Sequence, residues 1–281
     1  MARISSGDTY VEVLPELGGT IARFSTVKDG QTIDWLTPRS EATPGCFPMV
    51  PFASRITEGA FIYEGKQISL PVNVQGENVP IHGFAWQSTW RLVKLSERKV
   101  LLRYEHRAGA WPWQFRVDLS YSLSGRSLLA EIEVTNRSVS AMPLGLGFHP
   151  YFPVTDECQV FANVTHEWLL DEMLLPLKQV AFEPRSWHPQ KERLDNVYSG
   201  WDQRAEIIWP ERENAVILRA SECFEHFVLF SPGEYFCAEP ISNMVDGFNM
   251  MARGEAGHGV NVLAPQSKMF AWMQIEPRLG V

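Results

Sequence analysis

The sequence lacks the features that mark several large classes of protein. No apolar run approaches the ~20 residues that span a bilayer, and the N-terminal stretch MARISSGDTYVEV has no apolar segment of the signal-peptide kind. The four cysteines, Cys46, Cys158, Cys223 and Cys237, are far apart and form no C-x-x-C pair. We therefore expect free thiols, no zinc site, no membrane contact and a cytoplasmic location.

Positive charge is also scarce. The 281 residues include 25 Lys and Arg against 33 Asp and Glu, which gives a formal net charge of -8, and the basic residues are scattered. A chain of this sign repels phosphate backbones unless it carries a local basic patch. We expect no nucleic-acid partner.

Sequence motifs for common cofactors and nucleophiles are absent. The chain has no GxxxxGK[ST] phosphate loop, no complete dinucleotide fingerprint and no GxSxG elbow. The segment HEWLL ends at Leu170, where a zinc-binding HExxH motif needs its second histidine. We expect no cofactor and no metal, although local spacing does not exclude a metal site assembled from distant residues.

What the sequence has is a repeated two-residue periodicity. In QFRVDLSYSL, apolar residues from Phe115 to Leu123 alternate with polar ones, and LLAEIEVTN repeats the pattern from Leu128 to Val134. Each segment predicts a half-buried strand, and the intervening SGRS predicts the turn of an antiparallel hairpin. Turn signals recur every 8–12 residues, and strong helical stripes are scarce. The pattern predicts an all-β fold, a large antiparallel β-sandwich.

Composition supports one large core. Hydrophobic residues make up 45% of the chain and aromatic residues 12%, with 10 tryptophans. No linker, charge block or internal repeat marks a boundary, so we expect a single domain over residues 1–281. In such a sandwich, a face of a sheet and the loops at its rim are the places where a site can form.

Five polar residues stand out because they are embedded in aromatic and proline-rich segments: Arg55, His82, His149, Asp202 and Glu239. Simpler interpretations exist for most of them. The arginine could be a solvated charge at a strand end, the first histidine could belong to a turn, and the aspartate could cap a turn.

Glu239 and His149 are harder to explain by structure alone. Glu239 lies between YFCA and a proline, and a buried carboxylate must be paired or shifted in pKa. His149 could be a core histidine with satisfied ring nitrogens, but Pro150 biases its backbone towards an extended conformation at a strand end.

Five motifs occur in order over almost the whole chain: LGGTIARF, PFASRI, IHGFAW, GFHPYF and CAEPISN. They resemble the motifs of the aldose 1-epimerases, or galactose mutarotases. Each motif is modestly specific, and their order adds weight. The resemblance implies a β-supersandwich of the galactose mutarotase type, a cofactor-independent isomerase and a sugar as the small-molecule partner.

The resemblance also implies roles for the five residues. Glu239 would take the proton from the C1 hydroxyl of an aldose, and His149 would protonate the ring oxygen. Arg55 and His82 would hydrogen-bond the substrate, and Asp202 would hold a sugar hydroxyl. On this assignment the glutamate sets the acidic limb of the pH profile and the histidine the basic limb.

Departures from the better-known enzymes leave the sugar open. Ser54 and Phe148 stand where those enzymes carry asparagines, and Pro240 stands where they more often have a small polar residue, as in a divergent bacterial branch. Galactose or glucose is the default substrate. A sugar phosphate or sulfo-sugar would need a second cation beside Arg55. A non-catalytic sugar-binding protein is the third alternative, in which Trp86 would stack on the sugar.

Overall fold

A computed structural model describes residues 1–40, 44–172 and 174–281 of the chain. Its regular structure is almost entirely β. The strands of the N-terminal half are β1 (Ala2–Ser6), β2 (Thr9–Leu14), β3 (Thr20–Lys28), β4 (Gln31–Asp34), β5 (Cys46–Met49), β6 (Ala60–Tyr63), β7 (Lys66–Ser69), β8 (Arg91–Leu95), β9 (Lys99–His106), β10 (Phe115–Ser124), β11 (Ser127–Asn136) and β12 (Met142–Leu144).

The C-terminal half continues the pattern. Its strands are β13 (Gly147–Pro153), β14 (Gln159–Ala162), β15 (His166–Leu170), β16 (Pro176–Ala181), β17 (Ser186–Trp187), β18 (Leu194–Ser199), β19 (Arg204–Trp209), β20 (Asn214–Ala220), β21 (His226–Ser231), β22 (Tyr235–Ile241), β23 (Asn261–Leu263) and β24 (Lys268–Leu279). One short helix, α1 (Gly247–Ala252), follows β22. Within the described residues, no helix is long and apolar enough to cross a membrane.

The strands in the described part of the chain form two large antiparallel sheets. The first has eleven strands in the order β1-β2-β3-β5-β13-β22-β21-β18-β15-β16, with β4 paired to β3. The second has nine, in the order β17-β14-β19-β20-β24-β11-β10-β9-β8, and the pairs β12–β23 and β6–β7 stand apart. The predicted all-β antiparallel fold is confirmed.

The β10–β11 hairpin shows how the alternation becomes structure. Leu119 lies opposite Ile132, and Ser124 lies opposite Ser127 across the predicted turn. Gly125, inside that turn, has a φ of 55°, which glycine adopts without the strain of a Cβ. The alternate apolar residues, from Phe115 to Leu123 and from Leu128 to Val134, are buried, whereas Leu129 on the opposite face is only partly buried, as a period of two requires.

The two faces of the first sheet have different partners. One face packs on the second sheet, and residues such as Phe148 and Ala238 share a core with Leu119 and Ile132. The outer face carries a separate apolar cluster that includes Phe47. Because successive side chains on a strand point to opposite faces, β13 and β22 each supply both environments. The candidate site lies on the outer face.

Candidate active site

His149 and Glu239 are brought together by the pairing of two central strands. In the β13–β22 ladder, Gly147 lies opposite Ile241 and Tyr151 opposite Cys237. This register places the histidine opposite the glutamate on the same face of the sheet. The distance from His149 Nε2 to Glu239 Oε1 is 3.3 Å, and both side chains are buried. An imidazole and a carboxylate in contact can exchange a proton with each other or with a bound ligand.

A stack of aromatic rings fixes the orientation of the His149 imidazole. The ring packs against Phe47 and Tyr151, with centroid distances of 4.7 and 4.8 Å, and the Phe47 and Tyr151 rings are 6.4 Å from each other. Rotation of the imidazole would disrupt its contacts with both neighbouring rings, so these contacts restrict its orientation. Its Nε2 is the nitrogen that faces Glu239, and its buried Nδ1 has no hydrogen-bond partner among the described residues.

Trp86 does not occupy the position expected for a sugar-stacking residue. Its indole stacks on Phe47 with a centroid distance of 4.7 Å, behind the ring that contacts His149. It is not among the residues that line the cavity at the acid–base pair. The structure therefore gives Trp86 a place in the packing around the histidine.

The pair opens into a cavity of about 200 Å³. This volume lies below the ~300–1,000 Å³ of pockets for drug-sized ligands, so the cavity suits one small molecule. Its remaining polar lining consists of Ser54, Arg55, Glu77, His82, Asp195 and Asn196. Apolar side chains, including Val228 and Phe230, complete the wall. A wall with both characters matches a small ligand that has hydroxyl groups and an apolar face.

His82 reaches this cavity as a neutral hydrogen-bond donor. The backbone N–H of Ser54 donates to the ring nitrogen Nδ1 of His82 over 3.2 Å, and the backbone N–H of His82 donates to the Ser54 carbonyl over 3.0 Å. With Nδ1 used as an acceptor, the neutral ring carries its proton on Nε2. Burial, His149 and Arg55 lower the pKa of His82 well below its ordinary value.

Arg55 lines the same cavity and is only loosely paired. Its Nε and Nη2 atoms each lie 3.5 Å from a carboxylate oxygen of Glu77. Guanidinium–carboxylate hydrogen bonds are normally shorter, about 2.7–2.9 Å. The guanidinium therefore retains donors for a ligand. The structure brings together four of the residues named from the sequence, namely Arg55, His82, His149 and Glu239.

Asp202 lies elsewhere, and the expectation that it holds a sugar hydroxyl disagrees with the structure. It follows β18 in a turn, where its Oδ1 accepts a hydrogen bond from the Arg204 N–H over 3.2 Å. It lines a different, open depression together with Arg219 and Trp272. The simpler interpretation, an aspartate that caps a turn, describes its place in the fold.

Asp195 occupies the cavity instead, and sequence reasoning missed it. It stands near the start of β18, opposite Phe230 on β21, and it lines the cavity. Desolvation raises its pKa, while Arg55 and Arg193 oppose the rise. The segment around it, ERLDNVYS, matches no motif that marks a site, so only strand pairing could indicate its position.

Burial shifts the pKa values of the acid–base pair in opposite directions. Desolvation raises the pKa of Glu239 well above its ordinary value; Asp195 adds to this rise, and Arg55 opposes it. Desolvation lowers the pKa of His149 to about 3. Both shifts favour the uncharged forms of the two side chains. The order of the two values is the reverse of the one expected from the sequence.

Cys237 adds a third donor next to the pair. Ligand atoms of His149, Cys237 and Glu239 all lie within 4.8 Å of one another, and all three residues are buried. A nitrogen, a thiolate and a carboxylate would together suit a thiophilic divalent metal, but burial and the neighbouring Glu239 raise the pKa of the Cys237 thiol and so favour its neutral form over the thiolate that binds an ion. The proton chemistry of the histidine and the glutamate does not depend on such an ion.

Comparisons with known proteins identify the family of the chain. The family described as aldose 1-epimerase matches residues 2–276. An Escherichia coli K12 protein, the uncharacterised YphB, is 30% identical over 231 residues, which cover 75% of this chain and 77% of that protein.

Solved structures extend the similarity to the whole fold. A candidate aldose 1-epimerase from E. coli K12 has a TM-score of 0.88 and 26% identity, with coverage of 99% of this chain and 98% of that one. A galactose mutarotase-like protein from Clostridium acetobutylicum has a TM-score of 0.86 at 20% identity, covers 99% and 94% of the two chains, and supports the fold alone. The chain belongs to the aldose 1-epimerase family, and its β-sandwich is of the galactose mutarotase-like type.

Proposed function

We propose that this protein is an aldose 1-epimerase that interconverts the α and β anomers of a free aldose by acid–base ring opening. The observation that carries the proposal is the contact of 3.3 Å between His149 Nε2 and Glu239 Oε1 at a small, partly polar cavity. Family membership supports a mutarotase-type reaction. Galactose and glucose are the first substrates to test.

The reaction needs two proton movements that such a pair can perform. Glu239 removes the proton from O1 as the C1–O5 bond breaks and the C1=O1 bond forms, and His149 delivers a proton to O5. Ring closure on the other face of the carbonyl reverses both steps. Each positioned proton transfer typically contributes about 10²–10⁴-fold to the rate.

Ring opening requires a proton on His149 and a deprotonated Glu239 at its start. Arg55 favours this arrangement, because its positive charge lowers the pKa of Glu239 and so stabilises the carboxylate. Sugar hydroxyls that donate to the carboxylate act in the same direction. Arg55, Asp195 and the Nε2–H of His82 supply the hydrogen bonds that orient the sugar.

A neutral sugar fits the charges of the cavity better than a phosphorylated or sulfonated one. Among its described lining residues, Arg55 is the only lysine or arginine, and three carboxyl groups, those of Glu77, Asp195 and Glu239, accompany it. An anionic group would need at least two convergent cations and would meet repulsion from these acids. Rates with glucose and glucose 6-phosphate, compared directly, test this preference.

Anomer-resolved NMR or polarimetry over a panel of free aldoses tests the activity itself. We expect anomer exchange well above the buffer-catalysed rate for at least one neutral aldose. Anomer exchange at the buffer-catalysed rate for every sugar tested would exclude the proposed epimerase activity. Tight sugar binding without exchange would instead favour a non-catalytic sugar-binding protein, which has no need for both His149 and Glu239.

A further inference from the structure

The segment 53–57 carries Arg55 but belongs to neither large sheet. One of its sides is held by residues 80–82. The Ile56 N–H donates to the Pro80 carbonyl over 3.3 Å, and Ser54 and His82 exchange the two hydrogen bonds described above. These contacts join Arg55 and His82 to each other. They do not join either residue to the strand that carries Glu239.

Asn243 makes that connection from the other side. It lies four residues after Glu239 and is 1% exposed. Its Oδ1 accepts a hydrogen bond from the Ala53 N–H over 2.9 Å, and its Nδ2 donates to the Ala53 carbonyl over 2.9 Å and to the Met244 carbonyl over 3.0 Å. The amide thus holds Ala53 by both of its backbone groups, as a neighbouring strand would.

Asp246 holds the same segment at Arg55 and Thr57, two and four residues after Ala53. Its N–H donates to the Arg55 carbonyl over 2.9 Å, and its Oδ1 accepts from the Thr57 N–H over 3.0 Å. Residues 53, 55 and 57 are therefore all fixed to the chain that follows β22.

The space around the Asn243 amide is closely fitted. A Cβ atom at Gly145 would lie 1.8 Å from its Oδ1, so the amide occupies the space that any larger residue at 145 would fill. Asn243 itself does not line the cavity. A side chain with every hydrogen bond directed at backbone groups and none at the cavity does not act on the sugar directly.

We propose that Asn243 is a positioning residue that sets the distance between the Arg55–His82 pair and the general base Glu239. Asn243 follows the base on the same chain, so its two hydrogen bonds to Ala53 place the sugar-binding side chains in register with the reacting groups. The proposal rests on the proposed function, because the register matters only if one sugar contacts both sets of residues.

The test is a double-mutant cycle between Asn243 and Arg55, read in KM and kcat. Asn243→Ala removes the two hydrogen bonds to Ala53, and we expect KM to rise about tenfold or more, because small misplacements of binding groups are costly. In the Arg55→Ala background the same change should alter KM less than about twofold, since residues that act through one another are not additive. Equal effects in both backgrounds would overturn the proposal.

A second variant leaves Asn243 in place. Gly145→Ala puts a methyl group into the space of Oδ1 and should displace the amide. It should raise KM in the same way as Asn243→Ala, and it keeps the question answerable if the asparagine variant does not fold. A folded Gly145→Ala protein with unchanged KM would contradict the positioning role.

Asn136 provides a matched control. It is also fully buried, its Nδ2 donates to two carbonyls, those of Ser140 and Leu263, over 2.8 Å each, and its Oδ1 accepts the Ser138 N–H over 2.8 Å. Asn136→Ala should therefore lower Tm without changing KM. If it raised KM as much as Asn243→Ala, loss of stability would explain both results and the proposal would fail.

Failure of the proposed function gives a different result. It would be seen in the wild-type chain as anomer exchange at the buffer rate. If that chain still binds sugar, the same cycle read in Kd tests Asn243, with the same expected non-additivity. A wild-type chain that neither exchanges anomers nor binds any aldose would overturn both proposals.

Discussion

The two halves of the candidate site are held in place by different means. His149 and Glu239 lie on neighbouring strands, and the β13–β22 register brings them together. Arg55 and His82 lie on irregular segments, which are positioned by side chains and isolated backbone hydrogen bonds. The pairing of strands in the sheet thus fixes the positions of the reacting pair, whereas individual polar side chains fix the positions of the binding residues. Damage to the first half should reduce kcat, and damage to the second should raise KM.

The largest effect is expected at the base. Glu239→Gln keeps the shape and the hydrogen bonding of the side chain but removes its basicity, and we expect kcat to fall about 10³-fold with sugar binding within about tenfold. Stopped-flow polarimetry and a binding titration measure the two quantities. Near-normal kcat in a folded variant would show that the base lies elsewhere.

The histidine should show that the pair acts as a unit. His149→Asn should lower kcat by a similar factor, and the double variant with Glu239→Gln should be scarcely worse than either single one, because both proton transfers belong to one event. Rates that multiply in the double variant would mean that the two residues act independently. Circular dichroism of all three variants checks that the sheet is intact.

A smaller effect is expected among the binding residues, where two aspartates can be compared, one near the start of β18 and one shortly after its end. Asp195→Asn should raise KM about tenfold, the scale of one lost charge-assisted hydrogen bond, because the residue lines the cavity. Asp202→Asn is the matched control and should leave KM unchanged, because that residue lies in a separate turn. The reverse ranking would restore the assignment made from the sequence.

The smallest measurable change concerns the charge of His149. Its pKa is lowered to about 3, because burial disfavours the imidazolium. The unliganded ring should therefore stay neutral as the pH falls through ~6.5, the ordinary pKa of histidine. Nitrogen chemical shifts of the imidazole from pH 8 to 5 measure this directly. A ring that gains its proton at pH 6.5 or above would show that the Glu239 carboxylate offsets or outweighs the desolvation.

Local patterns in the sequence predicted the regular half of the molecule. The alternation from Phe115 to Leu123 and the turn at Gly125 specify a hairpin because side-chain direction on a strand has a period of two. Proline and aromatic neighbours likewise indicated that His149 and Glu239 are unusual. Their contact, however, required the pairing of strands almost 90 positions apart in the chain.

Position within the tertiary structure decided the rest. Asp195 and Asp202 are both single aspartates near the ends of β18, and composition does not distinguish them; only the pairing of β18 with β21 places one in the cavity. Trp86 resembled a sugar platform, yet packing placed it behind Phe47. The order of the pKa values also depends on burial, which no local pattern supplies.

The sequence by itself determined the fold class and the chemical groups, because these depend on neighbouring residues. The tertiary structure decided which groups share one cavity. That outcome depends on the pairing of strands that are distant in the chain and on the exclusion of water from the buried side chains.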